Sequence, residues 1–118
     1  MPGIPPIITD ERPWGNFRQF CHNEKVTVKI ITVMPGQKLS VQRHEHRDEL
    51  WVALEVGLRA DINGWRTSML PEQEVWIPRG AVHTVENRSG GPARFLEVAF
   101  GDFDENDIER LEDIYGRK

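Results

Sequence analysis

The segment Gly36-Gln37-Lys38-Leu39-Ser40-Val41-Gln42-Arg43-His44-Glu45-His46-Arg47-Asp48-Glu49 alternates like a strand and then concentrates side chains that ligate metals. A second segment, Pro78-Arg79-Gly80-Ala81-Val82-His83, closing at Asn87, adds an imidazole behind a rigid turn. Successive side chains of a strand point to opposite faces, so Ser40, Gln42 and His44 share one face while Leu39, Val41 and Arg43 share the other. The short stretch Glu45 to Asp48 can break the alternation and return Glu49 to the first face. The Pro-x-Gly corner aims His83 from a neighbouring strand. Gln42, His44, Glu49 and His83 then offer O, N, O and N to one divalent ion. That mixture suits zinc, or another first-row ion, with positions left for water or substrate. His46 is an alternative ligand, or a partner that orients one. Three of the chain's four histidines fall in these segments; the fourth, His22, reads as an ordinary hydrogen-bonded polar residue.

Working outward, strand-like runs alternate with turn signals. Val26 to Val33 is rich in β-branched residues and ends at Pro35-Gly36. Leu50 to Leu54 follows, and then Leu58 to Ile62 runs into Asn63-Gly64, the strongest hairpin cue in the chain. Val75 to Ile77, Val82 to Val85 and Phe95 to Phe100 complete the set, with Ser89-Gly90-Gly91-Pro92 as a further turn. Short strands at regular spacing predict an all-β sandwich or barrel. Acidic Asp102, Asp104 and Glu105, followed by Ile108, Leu111 and Tyr115, predict one short C-terminal helix over 103–116. Residues 1–11 are expected to form an extended arm, because Met1 to Pro6 is rich in Pro and Gly. Trp14, Trp51 and Trp76 read as core or subunit-interface residues, and Trp65 as a surface aromatic.

The 118 residues suffice for one domain over 1–118. A net charge of −4 argues against nucleic acid as a partner. No run approaches the length of about 18 apolar residues that spans a membrane, and no secretory leader is recognisable. One cysteine, Cys21, cannot form an internal disulfide, which suits a reducing cytoplasm.

Longer motifs then narrow the reading. Arg12-Pro13-Trp14-Gly15, the run Pro35 to Gln42, His46-Arg47-Asp48-Glu49-Leu50-Trp51, Ile77-Pro78-Arg79-Gly80 with His83 and Glu86-Asn87, and Leu111-Glu112-Asp113-Ile114-Tyr115-Gly116-Arg117 resemble type II phosphomannose isomerase. The same module is the C-terminal cupin of bifunctional mannose-1-phosphate guanylyltransferase/mannose-6-phosphate isomerase enzymes. The similarity runs from Arg12 to Arg117. It implies a double-stranded β-helix (a cupin jelly-roll barrel), a homodimer whose N-terminal arm crosses to the partner, and one bound metal. The implied reaction interconverts mannose 6-phosphate and fructose 6-phosphate. Gln42, His44, Glu49 and His83 fall where the isomerase ligands belong. No Gly-rich nucleotide loop is present, so guanylyl transfer is not expected of this chain. Three positions depart from the pattern. Leu50 replaces a common histidine and is expected to alter the metal's neighbourhood, Val56 precedes rather than supplies a turn glycine, and Glu72 replaces a glycine.

Isomerisation moves a proton between C1 and C2 while negative charge develops on oxygen, which a metal can stabilise. Glu97 and Lys29 are candidates for the group that moves the proton. Arg47 and Arg117, with Lys29 in reserve, are candidates for the substrate phosphate, and Ser40 can donate a hydrogen bond. Two rival readings use the same barrel. One is a non-haem-iron cupin dioxygenase, since two histidines and a carboxylate also hold iron; the other is a non-catalytic sugar-phosphate-binding cupin. Gln42 and the run His46 to Glu49 favour the isomerase over the dioxygenase.

Overall fold

The computed structural model describes residues 7–117, which form eleven strands and no helix. In chain order these are β1 (Ile8–Arg12), β2 (Gly15–Gln19), β3 (Val26–Val33), β4 (Val41–Arg43), β5 (Arg47–Ala53) and β6 (Leu58–Ile62). They continue as β7 (Trp65–Met69), β8 (Glu74–Ile77), β9 (His83–Asn87), β10 (Ala93–Gly101) and β11 (Glu109–Glu112). One sheet has the order β3-β10-β5-β8, a second has β11-β4-β9-β6-β7, and β1 pairs with β2 as a hairpin. All pairings are antiparallel. Many neighbours in the sheets are distant in sequence, as in a double-stranded β-helix.

Alternation along the strands builds two apolar layers. Trp51, Ala53, Val75, Ile77 and Phe95 of the first sheet meet Leu58, Ala60, Ile62, Met69 and Val85 of the second between the two sheets, which face each other without closing into one barrel. The opposite faces of β5 and β10 carry Leu50, Val52, Val98 and Phe100, covered by Ile7, Phe20, Cys21 and Trp76. Because β5 is covered on both faces, it is buried along nearly its whole length. Asn63 and Gly64 both take positive φ, 51° and 85°, and join β6 to β7 through Ile62 and Trp65 in the two-residue turn their sequence predicts.

Several expectations change. Residues 103–116 contain no helix: Glu109–Glu112 adds to the sheet beside β4, with a bulge between Arg110 and Glu112. A helix that short gains little by itself, whereas the open edge of β4 satisfies the segment's backbone groups directly. Of the acidic residues that suggested a helix start, Asp102 pairs with Lys25, Glu105 pairs with Lys29 and Asp104 caps a turn. Asp104 accepts from the Asn106 amide, and Asp107 accepts from the amides of Glu45 and His46. Of the expected arm, residues 1–6 lie outside the described part, and Ile8 to Arg12 is a hairpin strand. Trp51 is fully buried and Trp76 packs on the outer layer, but Trp14 is exposed. Gly57 takes over the turn glycine that Val56 lacks: its φ is +112°, and a Cβ there would stand 2.5 Å from the Ser89 Cβ. Glu72, standing in for glycine, is held at φ +67°.

Candidate metal centre

His44 follows β4, Glu49 lies on β5, and His83 opens β9, directly across the ladder from Gln42. The two sheets thus bring ligands from opposite walls into the space between them. One atom from each of His44, Glu49 and His83 lies within 4.8 Å of the others, and all three residues are buried.

Hydrogen bonds decide which nitrogens are available. His44 Nδ1 is 2.8 Å from the Asp107 carbonyl, and His83 Nδ1 is 2.9 Å from the Ala81 carbonyl. A carbonyl only accepts, so each Nδ1 carries the proton and each Nε2 keeps its lone pair. The turn at Pro78 to Gly80 holds this in place: Gly80, at φ +82°, donates its amide to the His44 carbonyl at 2.7 Å. His44 Nε2 stands 3.4 Å from Glu49 Oε2, and His83 Nε2 stands 3.9 Å from Glu49 Oε1. The His83 Nε2 atom is buried with no hydrogen-bond partner. An orphaned buried acceptor costs on the order of 1–3 kcal/mol. A cation cures that deficit, so these residues fit a divalent metal.

Glu49 is fixed from both sides, by Arg47 Nε at 2.9 Å and by Trp51 Nε1 at 3.1 Å. Burial by itself would raise its pKa. The coulombic pull that His83 and His44 exert when protonated, with the hydrogen bonds from Arg47 and Glu97, outweighs that and leaves the carboxyl below its ordinary value. His83 moves the other way from its usual behaviour beside a carboxylate, because burial outweighs Glu49 and favours the neutral, ligating ring. Gln42 borders the cluster, with Nε2 3.5 Å from His44 Nε2 and its oxygen accepting from Ser40 Oγ at 2.7 Å.

Glu97, on β10, lies across from Trp51 on one side and Lys29 on the other. Burial and then the Glu49 carboxylate push its pKa up to about 8, against the pull of Arg47 and Lys29. Lys29 reaches Glu105 at 3.1 Å and lies 4.1 Å from the Phe103 ring centre. Arg47 is buried rather than free at the surface; its guanidinium lies 4.2 Å from that ring's centre. Arg117 is held by Asp113 and lines a separate groove with Gln37 and Tyr115. His46 is exposed and outside the cluster, and the Asn87 side chain ties Val33 to Gly91. Leu50 faces the outer layer, away from Glu49, so its departure does not line the metal's surroundings.

Four residues escaped the sequence reading. Trp51 could have been found, since it sits two positions from Glu49 on the same face. Phe103 and Asp107 could not, because they arrive from a distant segment. Arg110 pairs in register with Gln42, so its side chain projects to the same side of the sheet. Its Nε is buried without a hydrogen-bond partner.

A double-stranded β-helix that gathers two imidazoles and a carboxylate between its sheets defines a cupin with a cluster that could hold a metal ion. The family model described as "Mannose-6-phosphate isomerase C-terminal" matches residues 8–113, and the chain belongs to that family. It is 44% identical over 108 residues to mannose-1-phosphate guanylyltransferase ManC of Salmonella typhimurium, covering 90% of this chain and 22% of that protein. The chain therefore spans about a fifth of that relative's length. Among solved structures, the capsular polysaccharide assembling protein CapF of Staphylococcus aureus superposes with a TM-score of 0.68 at 18% identity, over 92% of this chain and 35% of that one. A cupin sugar phosphate isomerase from Silicibacter pomeroyi superposes with a TM-score of 0.59 at 22% identity, over 75% and 68% of the two chains. At these identities the likeness concerns the fold.

Proposed function

We propose that the chain is a metal-dependent sugar-phosphate isomerase that interconverts mannose 6-phosphate and fructose 6-phosphate. The convergence of His44 Nε2, His83 Nε2 and Glu49, with one lone pair left orphaned, carries this reading. The family match supports the substrate class. Zinc suits the donor set, and such an ion supplies Lewis acidity toward an oxygen that gains charge.

The chain's own residues would do the rest. Glu97, its pKa pushed up to about 8, is a stronger base than an ordinary carboxylate: its ionised form can take the carbon-bound proton, and the acid so formed can return that proton to the neighbouring carbon. Trp51 and Arg47 hold Glu49 still. Arg110, beside Gln42 and without a carboxylate partner among the described residues, is the guanidinium best placed to receive the phosphate. Lys29, paired with Glu105 and in register with Glu97, is a second cation.

The test is to give fructose 6-phosphate to metal-loaded and chelated protein and to follow mannose 6-phosphate. Turnover should require the metal and vanish in His83→Ala. No turnover with any divalent ion tried would reject the reading.

A further inference from the structure

We infer that Arg47 is a resident cation of this cluster, which competes with a divalent ion for His44. The inference rests on the metal reading above and adds a control on loading. Arg47 opens β5 on the same face as Glu49, and only 7% of the residue is exposed. All three nitrogens of its side chain are engaged. Nε donates to Glu49 Oε2 at 2.9 Å, Nη2 donates to His44 Nε2 at 3.2 Å, and Nη1 donates to the Asp104 carbonyl at 3.3 Å. Phe103 covers the guanidinium.

The His44 contact is the informative one. Its Nδ1 is occupied by the Asp107 carbonyl, so Nε2 is the nitrogen a metal must use. One lone pair cannot serve a guanidinium proton and a metal together. His83 presents no such conflict, because its Nε2 has no partner. The cluster therefore has one open imidazole and one guarded imidazole. Arginine stays charged at every working pH, so its repulsion of a divalent ion is permanent. The same charge neutralises buried Glu49 and steadies the metal-free fold.

A purely structural Arg47, which only orients Glu49, predicts the opposite sign, because losing it would weaken metal binding. Zinc affinity of wild type, Arg47→Met and Arg47→Lys can be measured by competition with a chromophoric chelator, alongside denaturant midpoints of the metal-free proteins. Arg47→Met should bind zinc about tenfold more tightly or better, since close-range repulsion of a divalent ion exceeds one lost hydrogen bond. Its metal-free midpoint should fall, while Arg47→Lys should stay near wild type in affinity. Unchanged or weaker zinc binding by Arg47→Met overturns the inference. If that variant folds only with metal, NMR of the wild type decides: zinc should break the Arg47 Nη2 contact with His44, and an Arg47 signal unmoved by zinc overturns the idea. A wild type and variants that all ignore zinc would instead sink the metal reading, and this inference with it.

Discussion

Replacing Glu97 with glutamine should abolish a pH-dependent loss of stability in the metal-free protein. Glu97 has an ordinary value of 4.5 and is pushed up to about 8 in the fold. Below the lower value both folded and unfolded states hold the proton, and ionisation contributes nothing. Between the two values the unfolded chain releases its proton while the folded one keeps it, so stability falls as pH rises. Above the folded value the penalty is complete and constant. At about 1.36 kcal/mol per pH unit, the full window corresponds to roughly 5 kcal/mol. Glu97 and Glu49 titrate as a pair, which makes about 2–3 kcal/mol the working figure. His83 works in the opposite direction: burial lowers its folded pKa, so the unfolded chain gains a proton as pH falls through 6.5 and stability is lost toward acid. That contribution is common to parent and variant, and their difference isolates Glu97. Urea unfolding of both proteins in chelator, from pH about 5 to about 8, reads that difference. The curves should nearly coincide at the acid end, where Glu97 is as neutral as glutamine, and separate toward the alkaline end in favour of Glu97→Gln. Parallel curves across the window would show that Glu97 is not held protonated beside Glu49.

Two further substitutions test the cluster's surroundings. Trp51→Phe removes the donor to Glu49 Oε1 while keeping an aromatic ring; zinc affinity should drop about tenfold in a chelator competition, with little loss of fold. Arg110→Met removes a guanidinium whose Nε is buried and unpaired. It should raise the unfolding free energy by about 1 kcal/mol, yet weaken fructose 6-phosphate binding about tenfold, measured by calorimetry.

Much of the fold and three side chains of the candidate metal cluster or its border were legible because strand alternation and turn chemistry are local. The pattern from Leu39 to Glu49 already places Gln42, His44 and Glu49 on one face. The same alternation puts Arg47 and Trp51 with Glu49 and turns Leu50 to the outer layer, so position 50 does not line the cluster. The C-terminal segment does not follow its local pattern. Ile108, Leu111 and Tyr115 have helical spacing, but the exposed edge of β4 that captures Glu109–Glu112 exists only after the sheets form. Phe103, Asp104 and Asp107 reach Arg47 and His44 by that same docking.

What the chain's order of residues determined by itself was the alternation, the turns and the inventory of ligands, since each depends on neighbours a few positions apart. Tertiary structure alone decided the protonated nitrogen of each histidine, the raised pKa of Glu97 and the partners of Arg47. Those properties depend on exclusion of water and on groups from distant strands, so they arise only when the two sheets close over them.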